Sequence, residues 1–199
     1  MRARAASASL VLMLAAALAA GFAGAGCGTP SNPQASKLIK EANAHLENAA
    51  DQVKGIGDFN QQFAALFTGA PNPQAATKVR ELLEGARKKE QKALDETKEA
   101  RDTLSKVKEL QISDNMKEYI DLKLSALDEQ EQALTIELQA MDLRIATIKR
   151  VEQGATFEEL VPQEKQINDL EQQWAEHMAR AADFNKQAKG FYQEKKLGG

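Results

Sequence analysis

The stretch Ile120-Asp121-Leu122-Lys123-Leu124-Ser125-Ala126-Leu127-Asp128-Glu129-Gln130-Glu131-Gln132-Ala133-Leu134-Thr135-Ile136-Glu137-Leu138-Gln139-Ala140-Met141-Asp142-Leu143-Arg144-Ile145-Ala146-Thr147-Ile148 decides the fold. Along it Ile120, Leu124, Leu127, Leu134, Leu138, Met141, Ile145 and Ile148 recur at alternating three- and four-residue steps, with Glu131 as the one interruption. That period keeps an apolar face along one side of a helix and demands other helices to cover it.

The same spacing recurs on both sides. Upstream, Ala35, Ile39, Ala42, Leu46, Ala49, Val53, Ile56, Phe63 and Phe67 form a first stripe, broken at Asn60. Downstream, Ile167, Leu170, Trp174, Ala181, Phe184, Ala188 and Phe191 form a last one. A second segment is weaker, because Val79, Leu83, Ala86, Ala93, Ala100, Leu104 and Val107 share their stripe with Glu90 and Thr97. It is expected to be the least buried helix.

Helix ends carry their own signals. Asn32-Pro33-Gln34-Ala35 and Asn72-Pro73-Gln74-Ala75 both offer an N-cap acceptor followed by a proline, whose missing donor would be orphaned at that position anyway. Thr68-Gly69-Ala70-Pro71 closes the first helix, and Gln111-Ile112-Ser113-Asp114 turns into the third. Gly154 suits a C-terminal cap, and Thr156-Phe157-Glu158-Glu159 has the form of a capping box. Pro162 predicts either a short turn over 156–161 before a helix to about Lys196, or one kinked helix. Short loops force antiparallel neighbours, so the expected fold is all-α, an up-down-up-down four-helix bundle, with a three-helix bundle as the alternative. The bundle domain covers 33–197.

Composition narrows the chemistry. The chain has 26 Lys and Arg, 29 Asp and Glu, two His and one Cys. Without Arg2 and Arg4, 24 basic residues face 29 acidic ones, a net charge of −5 and the wrong sign for a nucleic-acid partner. No glycine-rich phosphate loop, Gly-x-Ser-x-Gly turn or Glu-x-x-His pair is present, and the reading is of a non-enzyme without a cofactor. One constellation remains. If the helices are flush at both ends, His45, Glu90, Glu131 and His177 fall near mid-bundle, where two imidazoles and two carboxylates at one level would suit a divalent metal. The plainer reading is a polar layer that fixes register, or side chains turned to solvent. Phe59, Phe63, Phe67 and Phe157 should gather at one pole as core. Lys186, Lys189, Lys195 and Lys196 fall at the other, where they either meet anionic headgroups or complement the helix dipole.

The N-terminus supplies an address. After Arg2 and Arg4 come the apolar run Leu10-Val11-Leu12-Met13-Leu14-Ala15-Ala16-Ala17-Leu18-Ala19-Ala20 and then Gly24-Ala25-Gly26-Cys27. The run is shorter than the ~20 residues that span a bilayer. The segment resembles the lipobox of bacterial lipoproteins, although Gly24 stands where an aliphatic residue is usual. The resemblance implies cleavage of 1–26, lipid including palmitate on Cys27, and a tether over 27–32. That would place the chain on the outer face of the cytoplasmic membrane, or on the outer membrane of a Gram-negative cell. An ordinary secretory signal cut near Ala23 or Ala25 is the alternative, but a lone Cys has no disulfide partner to explain it. The final helix, with its Phe184-Asn185 and Phe191-Tyr192 pairs, is similar to the cell-wall-binding helical lipoproteins of Gram-positive bacteria, which implies a protein or wall polymer as partner. Two alternatives are an accessory subunit of an envelope transporter or secretion complex, and a metal-dependent enzyme at the mid-bundle layer.

Overall fold

The computed structural model describes residues 32–54, 56 and 73–197, which form four helices and, among the described residues, no strand. They are α1 (Pro33–Lys54), α2 (Pro73–Ser105), α3 (Asp114–Glu152) and α4 (Phe157–Glu194), with a 3-10 turn over Lys106–Glu109. The segment 1–26, Cys27 and the tether up to Ser31, the cap at Asn72, and Phe59, Phe63 and Phe67 lie outside the described residues, as does the Phe157 side chain.

The start signals act locally, so they survive into the fold. Asn32 Oδ1 accepts from the Gln34 and Ala35 amides at 2.9 and 3.3 Å, and Ser113 Oγ accepts from the Met116 amide at 3.3 Å. Gly154 closes α3 at φ +87°, a conformation that disfavours a Cβ. Glu159 accepts from the Thr156 amide at 2.7 Å and from its hydroxyl at 3.1 Å. Pro162 does not delay α4. The helix begins at Phe157 and continues through the proline, so 156–161 is the cap and first turn of the helix and not a separate turn.

Each helix packs chiefly on the next in sequence, α1 on α2, α2 on α3 and α3 on α4, all antiparallel. The starts of α1 and α3 therefore share a pole with the ends of α2 and α4. This order overturns the expectation that α2 is the least buried helix. With neighbours on both sides α2 buries Val79, Leu83, Leu94 and Leu104, and even Glu90 and Thr97 on its stripe. The terminal helix α4 has one principal neighbour and buries only Trp174, Met178, Ala181 and Ala188 among its described side chains.

The core is two clusters, not one. One joins Val53, Leu83, Leu94, Leu134, Met141 and Trp174, and the other joins Ala42, Leu46, Leu104, Ile120, Leu127 and Ala188 near the shared pole. Each fully buried Leu or Ile contributes about 1.5–3 kcal/mol, so both halves are driven by apolar burial. Between them lie Thr97 on α2 and Gln130 on α3, both buried. Thr97 turns its hydroxyl back to the Ala93 carbonyl at 2.8 Å.

Candidate functional site

His45, Glu90, Glu131 and His177 do not meet as one group among the described residues. His45 Nδ1 on α1 lies 2.7 Å from Glu96 Oε2 on α2. His177 Nδ1 on α4 lies 2.7 Å from Glu129 Oε2 on α3, which also accepts from Arg180 Nε at 2.8 Å. Burial opposes the Glu129 charge, yet the Arg180 and His177 hydrogen bonds outweigh it and hold the carboxyl below the usual carboxylate range. Glu131, two residues from Glu129, faces α2 instead, its Oε1 3.6 Å from Arg101 Nη1. Burial outweighs the Arg101 attraction and raises its pKa. Glu90 lies six residues from Glu96 along α2, about 9 Å at 1.5 Å per residue. Their direction around the helix axes separates them. His45 is on the α1–α2 seam, Glu131 on α2–α3 and His177 on α3–α4. Among the described residues no three His, Cys, Asp or Glu side chains gather as a metal-binding group.

A different cluster lies deeper. Arg144 on α3 donates to Glu137 on the same helix at 3.0 Å and to Glu171 on α4 at 2.5 Å, and all three side chains are at most 20% exposed. Burial works against the Arg144 charge, but the two carboxylates beside it more than offset this and raise its pKa. Burial pushes Glu137 up despite the guanidinium. Glu90 on α2 is 1% exposed, and its Oε1 has no hydrogen-bond partner among the described residues. Burial, with a smaller contribution from the nearby Glu137 charge, pushes its carboxyl up to about 8. Glu90 is thereby mostly protonated at neutral pH.

A protonated interior carboxyl is the usual equipment of a general acid. Here it is enclosed between helices at 1% exposure. Sequence reasoning placed Glu90 on its stripe but missed Glu137, Arg144 and Glu171. Arg144 carried a signal, since it lies three residues after Met141 and four before Ile148, directly beside Ile145 on the edge of the apolar stripe. Glu96 and Glu129 carried none, being two among 29 acidic residues whose partners are 51 and 48 positions away.

At the shared pole, Lys123 is 4% exposed and donates to Asn185 Oδ1 at 2.5 Å. Burial lowers its pKa to about 8. Tyr119 and Tyr192 pack beside each other nearby, with ring centroids 5.2 Å apart. None of the described helices is long and apolar enough to cross a membrane. No protein-family model, curated protein or solved structure matches the chain.

Proposed function

We propose that this chain is a lipid-anchored protein of the bacterial envelope whose helical bundle acts by binding, as a non-enzymatic module, with a protein or a cell-wall polymer as partner. The observation that carries the reading is in the sequence: the one Cys of the chain stands directly after Gly24-Ala25-Gly26 and five residues before the Asn32 cap of α1. Gly28-Thr29-Pro30-Ser31 extend to roughly 14 Å at most, so a lipid on Cys27 holds the bundle close to the bilayer. Each acyl methylene contributes about 0.8 kcal/mol of membrane affinity, and two or three chains make detachment negligible.

The geometry favours binding over catalysis. Among the described residues His45, His177 and Glu131 are tied in pairs across three separate seams and Glu90 is enclosed between helices, whereas the long helices present broad charged faces. Mass spectrometry of the N-terminal peptide tests the anchor: a diacylglyceryl Cys27, absent in Cys27→Ser, is expected, and an unmodified thiol or a cut before Ala25 sinks it. Crosslinking and pull-down from membranes, run beside sedimentation on isolated peptidoglycan, tests the partner. Retention on peptidoglycan supports a wall polymer, and a defined protein recovered from membranes alone supports an accessory subunit.

A further inference from the structure

The charge of α4 is divided lengthwise. Over 157–176 it carries Lys165 against Glu158, Glu159, Glu164, Asp169, Glu171 and Glu176. Over 177–197 five basic residues face only Asp183 and Glu194. The basic part lies at the pole where α1 begins, because α1 and α4 run in opposite directions. Acidic residues near a helix start and lysines near its end complement the dipole, but that effect fades within one turn. Lys186 and Lys189 are eight and five residues before Glu194, beyond its reach. Both are exposed, three residues apart on one face, and neither forms an ion pair among the described residues. The same holds for Lys196, and for Lys40 near the start of α1.

We infer that this pole is a docking surface for an anionic phospholipid bilayer, with Lys186, Lys189 and Lys196 at the headgroups and the acidic half of α4 turned away. The inference rests on the lipid anchor at Cys27, which fixes which pole meets the membrane. A surface lysine contributes modestly to such a contact, but the short tether raises the local concentration so that a weak contact suffices. Repulsion between the bilayer and the six carboxylates of 157–176 acts in the same direction and keeps the bundle upright. The matched comparison is Lys88, Lys89 and Lys92 on α2, also three exposed lysines, on the distal half of the bundle.

The test uses the full lipidated protein in vesicles of phosphatidylcholine alone or with phosphatidylglycerol, footprinted with an amine-acylating reagent and read by mass spectrometry. Lys186 and Lys189 are expected to acylate about fivefold more slowly in anionic vesicles, Lys88 and Lys89 at the same rate in both, and ~0.5 M salt to erase the difference. Lys40 at the same pole should be protected likewise in anionic vesicles; K186Q/K189Q/K196Q should abolish that protection, and the charge-matched K88Q/K89Q/K92Q should leave it. Equal labelling of Lys186 in both vesicle types overturns the inference, as does loss of protection in the distal variant. The same spectra report the lipid on Cys27, so failure of the anchor is seen separately from failure of the docking surface.

Discussion

Arg144 Nη2 on α3 lies 2.5 Å from Glu171 Oε1 on α4, and the same guanidinium holds Glu137, so one cation between two helices neutralises two enclosed carboxylates. Removing it should be costly in a way that removing the whole cluster is not. Arg144→Met is expected to destabilise the fold by about 3 kcal/mol, because Glu137 and Glu171 remain largely buried without compensation. The triple variant Glu137→Leu, Arg144→Met, Glu171→Leu should return to within about 1 kcal/mol of the parent. Urea denaturation midpoints decide it: equal losses in the single and the triple variant would mean the cluster acts through packing and not charge.

Glu90 gives a pH dependence whose sign follows from its environment. Its folded pKa, about 8, exceeds the ordinary carboxyl value of 4.5, so between these two values the folded state binds more protons than the unfolded one. Stability from this group is therefore full below pH 4.5 and is lost as pH rises towards 8. Glu137, also raised, adds to the same slope. Glu90→Leu should remove most of the slope and stabilise the protein at pH 7 by about 1–3 kcal/mol, since an unpartnered buried oxygen is deleted. Thermal midpoints measured from pH 5 to 8 that fall equally steeply in both proteins would contradict the assignment.

Much of this fold is legible in the chain because caps and apolar periods are local. Asn32, Ser113, Gly154 and the Thr156–Glu159 pair each act within a few residues of where they stand. Burial of whole helices is not local. α2 has the poorer stripe but two neighbours, and α4 has the better stripe but one principal neighbour, so their ranking depends on packing order. The mid-bundle site failed for a related reason: residue counts from the helix ends give height, while a shift of one position from Glu131 to Gln130 turns a side chain by about 100°. Gln130 enters the core and Glu131 turns to Arg101.

His45 and His177 provide a direct check on that separation. Each sits on its own seam with its own glutamate, and each pair is partly exposed, so His45→Ala and His177→Ala should cost under about 1 kcal/mol apiece. In the double variant the costs should add within about 0.5 kcal/mol. A coupling of 1 kcal/mol or more, or its appearance only when zinc is added, would mean that the two imidazoles share a ligand.

Lys123 should act in the opposite pH range from Glu90. Burial lowers its pKa from 10.5 to about 8, so between these values the unfolded chain binds more protons than the folded one. Its contribution consequently makes stability rise from pH 8 to 10.5, with the destabilising effect fully present below pH 8. Lys123→Met keeps the length and the apolar stem but removes the ammonium, at the loss of the Asn185 contact. The variant is expected to lose the alkaline rise in denaturant midpoint while keeping the acid-side slope set by Glu90. An unchanged rise above pH 8 would assign it to another group.

Three glycines separate backbone conformation from crowding. A Cβ at Gly85, Gly154 or Gly190 would meet nothing within 4 Å, so sterics predict the same outcome for all three. Backbone conformation predicts different ones. Gly85 and Gly190 are inside α2 and α4, where Ala restricts the unfolded chain more, and each Gly→Ala change should stabilise by about 0.5–1 kcal/mol. Gly154 has φ +87°, so Gly154→Ala should destabilise by about 1 kcal/mol although the space is equally open. Gly190→Ala also stiffens the helix between Lys189 and Lys195, and the slowed labelling of Lys186 on anionic vesicles should be preserved in it. If Gly154→Ala raised the thermal midpoint as the other two do, α3 would have to end differently from the left-handed cap described above.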